Sequence, residues 1–259
     1  MTAKKLSALI FILVLFLGTR VWAFGLEAAG GFWSENPSGD ISYKGDSLSV
    51  KDDLRYDTEY KPFGRVKIDL PLINFYLAYT PVNFEEEGEL NKTFTFGDKT
   101  FNANVPFDSY LKMQQYDLGV YWGIPFLKSV TEAATLGFAG INVELGLNAR
   151  VMNVEAGIEQ QNLKEDTSFT VVIPLLYGGL SIDFGKVSLE GEFRGIAYNN
   201  NHYYDAIGRL KFYIFSTPLV GPSAFVGVGY RYQDLKFDVD DFKGTFTLSG
   251  PFAELGVNF

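Results

Sequence analysis

From Ile141 to Val151 every second residue is apolar: Ile141, Val143, Leu145, Leu147, Ala149 and Val151 alternate with Asn142, Glu144, Gly146, Asn148 and Arg150. A period of two over this length predicts a β-strand with one greasy and one wet face, since a helix would set Glu144 and Arg150 among the leucines. The pattern returns at Val187 to Ala197, where Val187, Leu189, Phe193 and Ala197 oppose Ser188, Glu190, Glu192 and Arg194. Ala206 to Ile214 repeats it, with Leu210, Phe212 and Ile214 against Arg209 and Lys211. Val66, Ile68 and Leu70 oppose Arg65, Lys67 and Asp69, and Leu118, Val120, Trp122 and Ile124 oppose Asp117, Gly119 and Tyr121. Ala224 to Tyr232 opposes Arg231 and Gln233, and the chain ends on Pro251 to Phe259, with Ala253, Leu255, Val257 and Phe259 on one face.

Turn signals cut these runs apart. Short turns are predicted at Asp69 to Asn74 (Pro71), Gly123 to Thr135 (Pro125), Asp183 to Val187 (Gly185-Lys186) and Thr217 to Ser223 (Pro218, Gly221, Pro222). Longer polar connections are predicted at Glu35 to Tyr60, Glu85 to Phe107 with a small hairpin at Gly97-Asp98, Gln160 to Thr167, Asn199 to Tyr203, and Asp238 to Lys243. About ten strands result, beginning near Leu26, with eight or twelve open because the segments flanking Glu85 to Phe107 can add or lose a hairpin.

Such strands fit a soluble barrel or sandwich with its apolar face inward, or a transmembrane antiparallel up-and-down β-barrel with its apolar face toward lipid. Four features favour the second. The strands carry about ten alternating residues, the length of a tilted crossing. Aromatics gather near strand ends (Phe32, Trp33, Tyr76, Tyr79, Tyr121, Trp122, Phe212, Tyr213, Phe215, Tyr230, Tyr232), as an interface girdle requires. Short and long connections alternate. The last strand ends on the aromatic Phe259, which resembles the signal that bacterial barrel-assembly machinery reads, with Val257 and Leu255 on the same face. Both termini and the short turns are expected on the periplasmic side. Pro174 and Pro251 fall inside predicted strands and are expected at a bulge or near a rim.

Met1 to Ala23 has the form of a secretory signal peptide, with Lys4 and Lys5, an apolar run from Leu6 to Gly18, and Val21-Trp22-Ala23 at the cleavage site. The apolar run is too short to span a bilayer. Cleavage after Ala23 leaves residues 24–259 as a single barrel domain. Composition agrees: 16% of the 259 residues are aromatic and 20% are charged, which excludes intrinsic disorder. There is no cysteine, hence no disulfide framework. A net charge of -9 argues against a nucleic-acid partner. The expected partners are outer-membrane lipid and lipopolysaccharide, and no cofactor is expected.

Leu26-Glu27-Ala28-Ala29-Gly30-Gly31-Phe32-Trp33, followed by Pro37-Ser38-Gly39-Asp40-Ile41-Ser42-Tyr43, resembles the opening of a group of small bacterial outer-membrane barrel proteins. In that group a Gly-Gly first strand precedes a Pro-Ser-Gly-Asp loop. Asp52-Asp53-Leu54 and Phe94-Thr95-Phe96-Gly97 are similar to later segments of the group. The resemblance implies a signal peptide, an outer-membrane barrel and no enzymatic role, and it carries over no ligand or catalytic residues.

By strand parity, a lumen charge network is expected from Glu27, Asp69, Asp117, Glu144, Asp183, Glu190, Glu192 and Glu254 with Arg65, Lys67, Arg150, Arg194, Arg209, Lys211 and Arg231. The signs nearly balance, so the excess acid belongs to loops such as Glu85-Glu86-Glu87. Narrow barrels are filled by side chains and buried charges need partners, so an ion-paired plug is expected ahead of a conducting pore. His202, the only histidine, sits near Asp205 in a predicted turn, with Asp52-Asp53 and Asp240-Asp241 in other loops. A His-Asp base at the rim is the corresponding enzymatic alternative, against the plainer reading of a solvated turn residue. Glu85-Glu86-Glu87-Gly88-Glu89 and Asp238-Val239-Asp240-Asp241 lack the spacing of a Ca²⁺ loop and read as solvated charge that divalent ions could bridge to anionic headgroups. The expected role is a non-enzymatic outer-membrane barrel, structural or a narrow conduit for small solutes. An outer-membrane hydrolase and an adhesin-like surface are the alternatives.

Overall fold

A computed structural model describes residues 25–70, 73–124, 127–136, 138–216, 222–239 and 241–259. The expected signal peptide lies outside the described residues, as do Pro71, Pro125, Pro218, Gly221 and Asp240. The strands are β1 (Gly25–Tyr43), β2 (Leu48–Ser49), β3 (Glu59–Asp69), β4 (Asn74–Gly88), β5 (Phe94–Phe96), β6 (Lys99–Phe101), β7 (Phe107–Gly123), β8 (Gly140–Gln160), β9 (Leu163–Phe184), β10 (Val187–Tyr198), β11 (Asn201–Ser216), β12 (Ser223–Val239) and β13 (Phe242–Asn258). One helix, α1 (Leu127–Ala134), lies between β7 and β8. β1, β3, β4 and β7 to β13 pair antiparallel in chain order, and β13 pairs back onto β1 through fifteen residues from Glu27↔Asn258 to Tyr43↔Phe242. The chain is therefore a closed ten-stranded up-and-down barrel with no free edge along its lower half.

The lower half is the part that spans the membrane. Its outward side chains form an apolar belt, with Leu145, Leu176 and Leu255 exposed at 62%, 65% and 66%. Trp122, Phe184, Phe215 and Phe259 line the turn side of the belt, and Phe32, Tyr60, Tyr79, Tyr116, Tyr198 and Tyr232 line the far side. Two aromatic girdles around an apolar band are what a bilayer selects. Trp33, Tyr76 and Tyr121, which sequence position alone put in the girdle, are buried inside the lumen instead. Each shares the parity of an inward polar side chain: Trp33 with Glu27, Tyr76 with Asn74, and Tyr121 with Asp117.

Above the belt the strands continue where polar connections were expected. β8 and β9 run to Gln160 and from Leu163, so Gln160 to Thr167 is a hairpin end and no long loop. β1 carries on through Pro37-Ser38-Gly39-Asp40, in register with Leu248 to Thr245 of β13, so this stretch is strand and not loop. Gly39 has φ 112° and a Cβ there would lie 2.0 Å from the Thr245 carbonyl oxygen, so the strand needs glycine at this point. Asp238 and Val239 likewise belong to the β12–β13 ladder, opposite Lys243 and Phe242. The alternation continues through the upper parts of these strands; what changes is which parity is apolar. On β13 the outward Ala253, Leu255 and Val257 give way to the inward Leu248, Phe246 and Phe242. On β8 the outward Leu145 and Leu147 give way to the inward Met152, Val154, Ala156 and Ile158. Inside the upper barrel these residues form one continuous hydrophobic core.

The two longest upper connections cap that core. The Gly97-Asp98 turn joins β5 and β6, and Phe94, Phe96 and Phe101 of this hairpin are buried. Gly97 N–H donates to the Tyr43 carbonyl at 2.7 Å, Asp98 N–H to Glu165 Oε1 at 3.3 Å, and Gln160 Nε2 to the Val105 carbonyl at 2.9 Å, which straps the hairpin to β1, β9 and β8. The segment 50–58 packs Leu54 and Tyr56 inward, with Tyr56 stacked on Phe84 at 5.6 Å. Burial pushes the Tyr56 phenol above its ordinary range.

The region Gly123 to Thr135 is more than a turn, because Leu127–Ala134 forms α1. Thr131 Oγ1 accepts the Ile141 N–H at 2.9 Å and Lys128 pairs with Asp183 at 2.8 Å, fixing the helix against the start of β8 and the end of β9. Pro251 sits where the β1–β13 ladder skips from Trp33↔Phe252 to Asn36↔Ser249. Pro174 sits on β9 just above Leu176↔Gly195, the last pair β9 makes with β10. A residue without an N–H costs nothing on an edge where no partner strand remains.

Candidate functional site

The charged side chains of the spanning half meet in two layers. In the upper layer Arg150 of β8 donates from Nε and Nη2 to Asp117 of β7 at 2.9 and 2.7 Å, and from Nη2 to Asp205 of β11 at 2.7 Å. Arg231 of β12 closes on the same Asp205 at 3.0 and 2.7 Å and donates to Thr80 Oγ1 of β4 at 3.0 Å. Asp117, Arg150, Asp205 and Arg231 thus run as one chain from β7 to β12, and all four are buried. Arg150 also donates to the Tyr203 hydroxyl and lies 4.9 Å from its ring centroid, and Arg231 lies 4.9 Å from that of Trp33. Gln115 and Gln233 pair amide to amide at 3.2 Å over this layer. Shared carboxylates and stacked guanidinium planes are how fully buried arginines are satisfied.

The lower layer is larger and more exposed toward the turns. Arg65 donates to Glu254 at 3.1 and 2.8 Å and also contacts Glu27. Arg209 contacts Glu190 at 2.8 Å, Glu192 at 2.6 Å and Glu254 at 3.0 Å. Lys211 reaches Glu27 at 2.8 Å and Glu190 at 2.5 Å, and Arg194 reaches Glu192 at 2.6 Å. Lys67 pairs with Glu144 at 2.7 Å and Asp69 at 3.5 Å. Tyr121 and Tyr177 stack face to face at 3.6 Å, and Arg194 lies 4.7 Å from the Tyr76 centroid and 5.2 Å from that of Tyr177. Asp183 stands at the lower rim, held by Lys128 and by the Ser188 hydroxyl at 2.6 Å.

The fifteen residues assigned by parity therefore all lie in or at the rim of one lumen. Parity reasoning missed two more. Asp205, which binds both Arg150 and Arg231, shares the register of Arg209 and Lys211 and was legible there. Glu35, in the register of Glu27 and Trp33, is 0% exposed, and neither carboxyl oxygen has a hydrogen-bond partner. Asp205 is consequently unavailable to His202. The His202 ring Nε2 lies 2.9 Å from Asp234 of β12, and the ring stacks on Tyr204 at 4.9 Å. Asp234 in turn accepts from Thr247 Oγ1 at 3.0 Å, so the carboxylate stands between imidazole and hydroxyl. A nucleophile–base relay needs the imidazole in the middle.

Above the upper charged layer lies a cavity of about 530 Å³, lined by Met113, Met152, Val154, Phe169, Leu235 and other apolar side chains of the upper core. Tyr203, the partner of Arg150, also lines it. Periodicity gave no hint of this chamber, because it arises from unequal strand lengths: the β10–β11 hairpin ends at Asn199-Asn200 while β9 and β12 continue.

No protein-family model and no curated protein matches the chain. Solved structures with a similar strand arrangement are bacterial outer-membrane β-barrel proteins. The outer membrane protease OmpT from Escherichia coli is 9% identical at a TM-score of 0.45, covering 93% of this chain and 99% of that one. The translocator domain of the autotransporter NalP from Neisseria meningitidis is 10% identical at a TM-score of 0.39, covering 99% and 98%. Neisserial surface protein A is 12% identical at a TM-score of 0.30, covering 91% and 95%. One is a protease, one a translocator domain and one a surface protein.

Proposed function

We propose that this chain is a non-enzymatic protein of the bacterial outer membrane whose lumen is closed in the plane of the bilayer, so that it is not an aqueous conduit. The observation that carries this reading is the buried Asp117–Arg150–Asp205–Arg231 chain, which ties β7, β8, β11 and β12 together across the interior. Ions passing through would have to separate paired charges in a medium of low dielectric. The apolar core and the strapped β5–β6 hairpin close the barrel again above it. Outer-membrane lipid and lipopolysaccharide are its surroundings, and β13, with Leu255, Val257 and Phe259 outward, is the strand that the assembly machinery reads. A hydrolase centred on His202 has weaker support, since Asp234, and not the imidazole, stands between the ring and the Thr247 hydroxyl. An adhesin-like role has less still, as the apolar residues of the upper connections are buried in the cap.

The test is single-channel recording from the refolded, purified protein in a planar bilayer. The expected trace is silent under conditions where folding is verified by heat-modifiable migration. Discrete, reproducible openings that shift selectivity in Arg150→Glu would overturn the reading and restore the conduit.

A further inference from the structure

Two notches interrupt the upper wall, and they are treated differently. The first lies between β3 and β4, whose pairing stops at Gly64↔Tyr79 while both strands continue. The chain's own segment 50–58 fills it, with Tyr56 against Phe84. The second lies between β9 and β12. β9 loses β10 above Leu176↔Gly195, and β12 loses β11 above His202↔Lys236. No segment of the described chain fills this gap.

The 530 Å³ chamber opens through the second notch. Its lining includes the inward Val171 and Ile173 of β9 and also the outward Val172 and Pro174 of the same strand. A cavity can touch both faces of one strand only by passing around its unpaired edge. Val172 is 60% exposed, is in register through Val151 with Tyr116 of the far girdle, and shares the lining with Tyr198 of that girdle, so the opening stands at the outer margin of the apolar belt. The interior is apolar, and its volume falls within the roughly 300–1,000 Å³ of small-molecule sites. At the mouth stands Lys236, hydrogen-bonded to Asn200 Oδ1 at 3.2 Å and without an ion pair among the described residues.

We infer that this chamber binds a single-chain amphiphile with a carboxylate head, of the fatty-acid class. The alkyl chain enters sideways from the membrane between β9 and the β10–β11 hairpin, and the carboxylate stays at Lys236. An unbranched chain is the ligand that a slot bounded by one strand edge admits. A cation at the apolar–polar boundary selects an acid over an alcohol.

The test uses the full barrel in phosphatidylcholine nanodiscs and a long-chain fatty acid carrying a mid-chain diazirine. On photolysis, adducts are expected on peptides carrying Met113, Met152 and Phe169. Unlabelled fatty acid should compete at least tenfold better than the alcohol of equal length. Lys236→Gln should bring acid and alcohol together. Val171→Trp, which fills the mouth, should cut interior labelling at least tenfold in protein whose fold is verified by heat-modifiable migration. Labelling confined to belt peptides such as those of Leu176 and Leu180, or acid and alcohol competing equally in the unaltered protein, overturns the inference. Channel silence is measured separately, so a conducting barrel with a filled chamber would refute the closed lumen alone.

Discussion

Below the outer girdle, β13 turns Leu255 outward and Glu254 inward; above it, the same strand turns Thr245 outward and Phe246 inward. Backbone, pleat and partners are continuous across the change. Only the surroundings differ: hydrocarbon outside and a buried, charge-paired interior in one half, water outside and an apolar interior in the other. The lower half is held together by ion pairs that solvate each other, because its apolar side chains gain little by meeting when lipid is already apolar. The upper half is held as an ordinary soluble barrel is, by burial of Phe84, Phe94, Phe246 and their neighbours away from water. One molecule thus applies two rules of stability to a single set of strands, and perturbations can be chosen that tell the halves apart.

The largest effect is expected at Asp205, whose carboxylate serves two buried guanidinium groups at once. Asp205→Ala leaves Arg150 and Arg231 short of counter-charge and should cost about 3–5 kcal/mol. Asp205→Asn keeps hydrogen-bond acceptance and should cost less. Urea unfolding of the barrel in detergent, followed by tryptophan fluorescence, measures both. A loss under 1 kcal/mol for the alanine variant would mean that the cross-lumen chain is not what secures the lower half.

The period of two is legible in the strands of the spanning half, and with it the fold class and the strand count. What misled was the assumption that one parity stays apolar throughout. Where the apolar parity switches, as after Trp33 on β1 or beyond Val151 on β8, the pattern mimics the end of a strand, which is why Glu35 and Gln160 to Thr167 look like loop in the sequence. Partners across the barrel were not legible at all. Nothing near Arg65 announces Glu254, 189 residues away, and nothing near His202 selects Asp234 over the closer Asp205. The chamber was hidden for a related reason, since it exists only because β10 and β11 stop short of their neighbours.

A second perturbation compares the exteriors on one strand. Leu180 and Ser168 both project outward from β9, the first in the apolar belt and the second above the girdle. Leu180→Arg should cost about 2–4 kcal/mol if its level is near the bilayer midplane, and Ser168→Arg close to nothing. The contrast should be read in lipid vesicles. Equal small costs would place Leu180 outside the hydrocarbon and move the belt.

The smallest effect is expected where an ion pair sits in water. Lys112 and Glu85 lie 2.7 Å apart on the outer face of β7 and β4, both solvent-accessible, at the same distance as Arg150 and Asp205 in the lumen. Distance alone would rank this contact with Arg150–Asp205. Solvent decides otherwise: water competes for both ends, salt screens them, and two long side chains lose freedom to meet. Lys112→Ala should therefore change unfolding free energy by no more than about 0.5 kcal/mol, and by less as salt is raised. The lumen pairs, shut away from the electrolyte, should keep their contribution over the same range of salt. If Lys112→Ala proved as damaging as Asp205→Ala, the upper half would have to be held by charge as the lower half is, and the division between the two would fail.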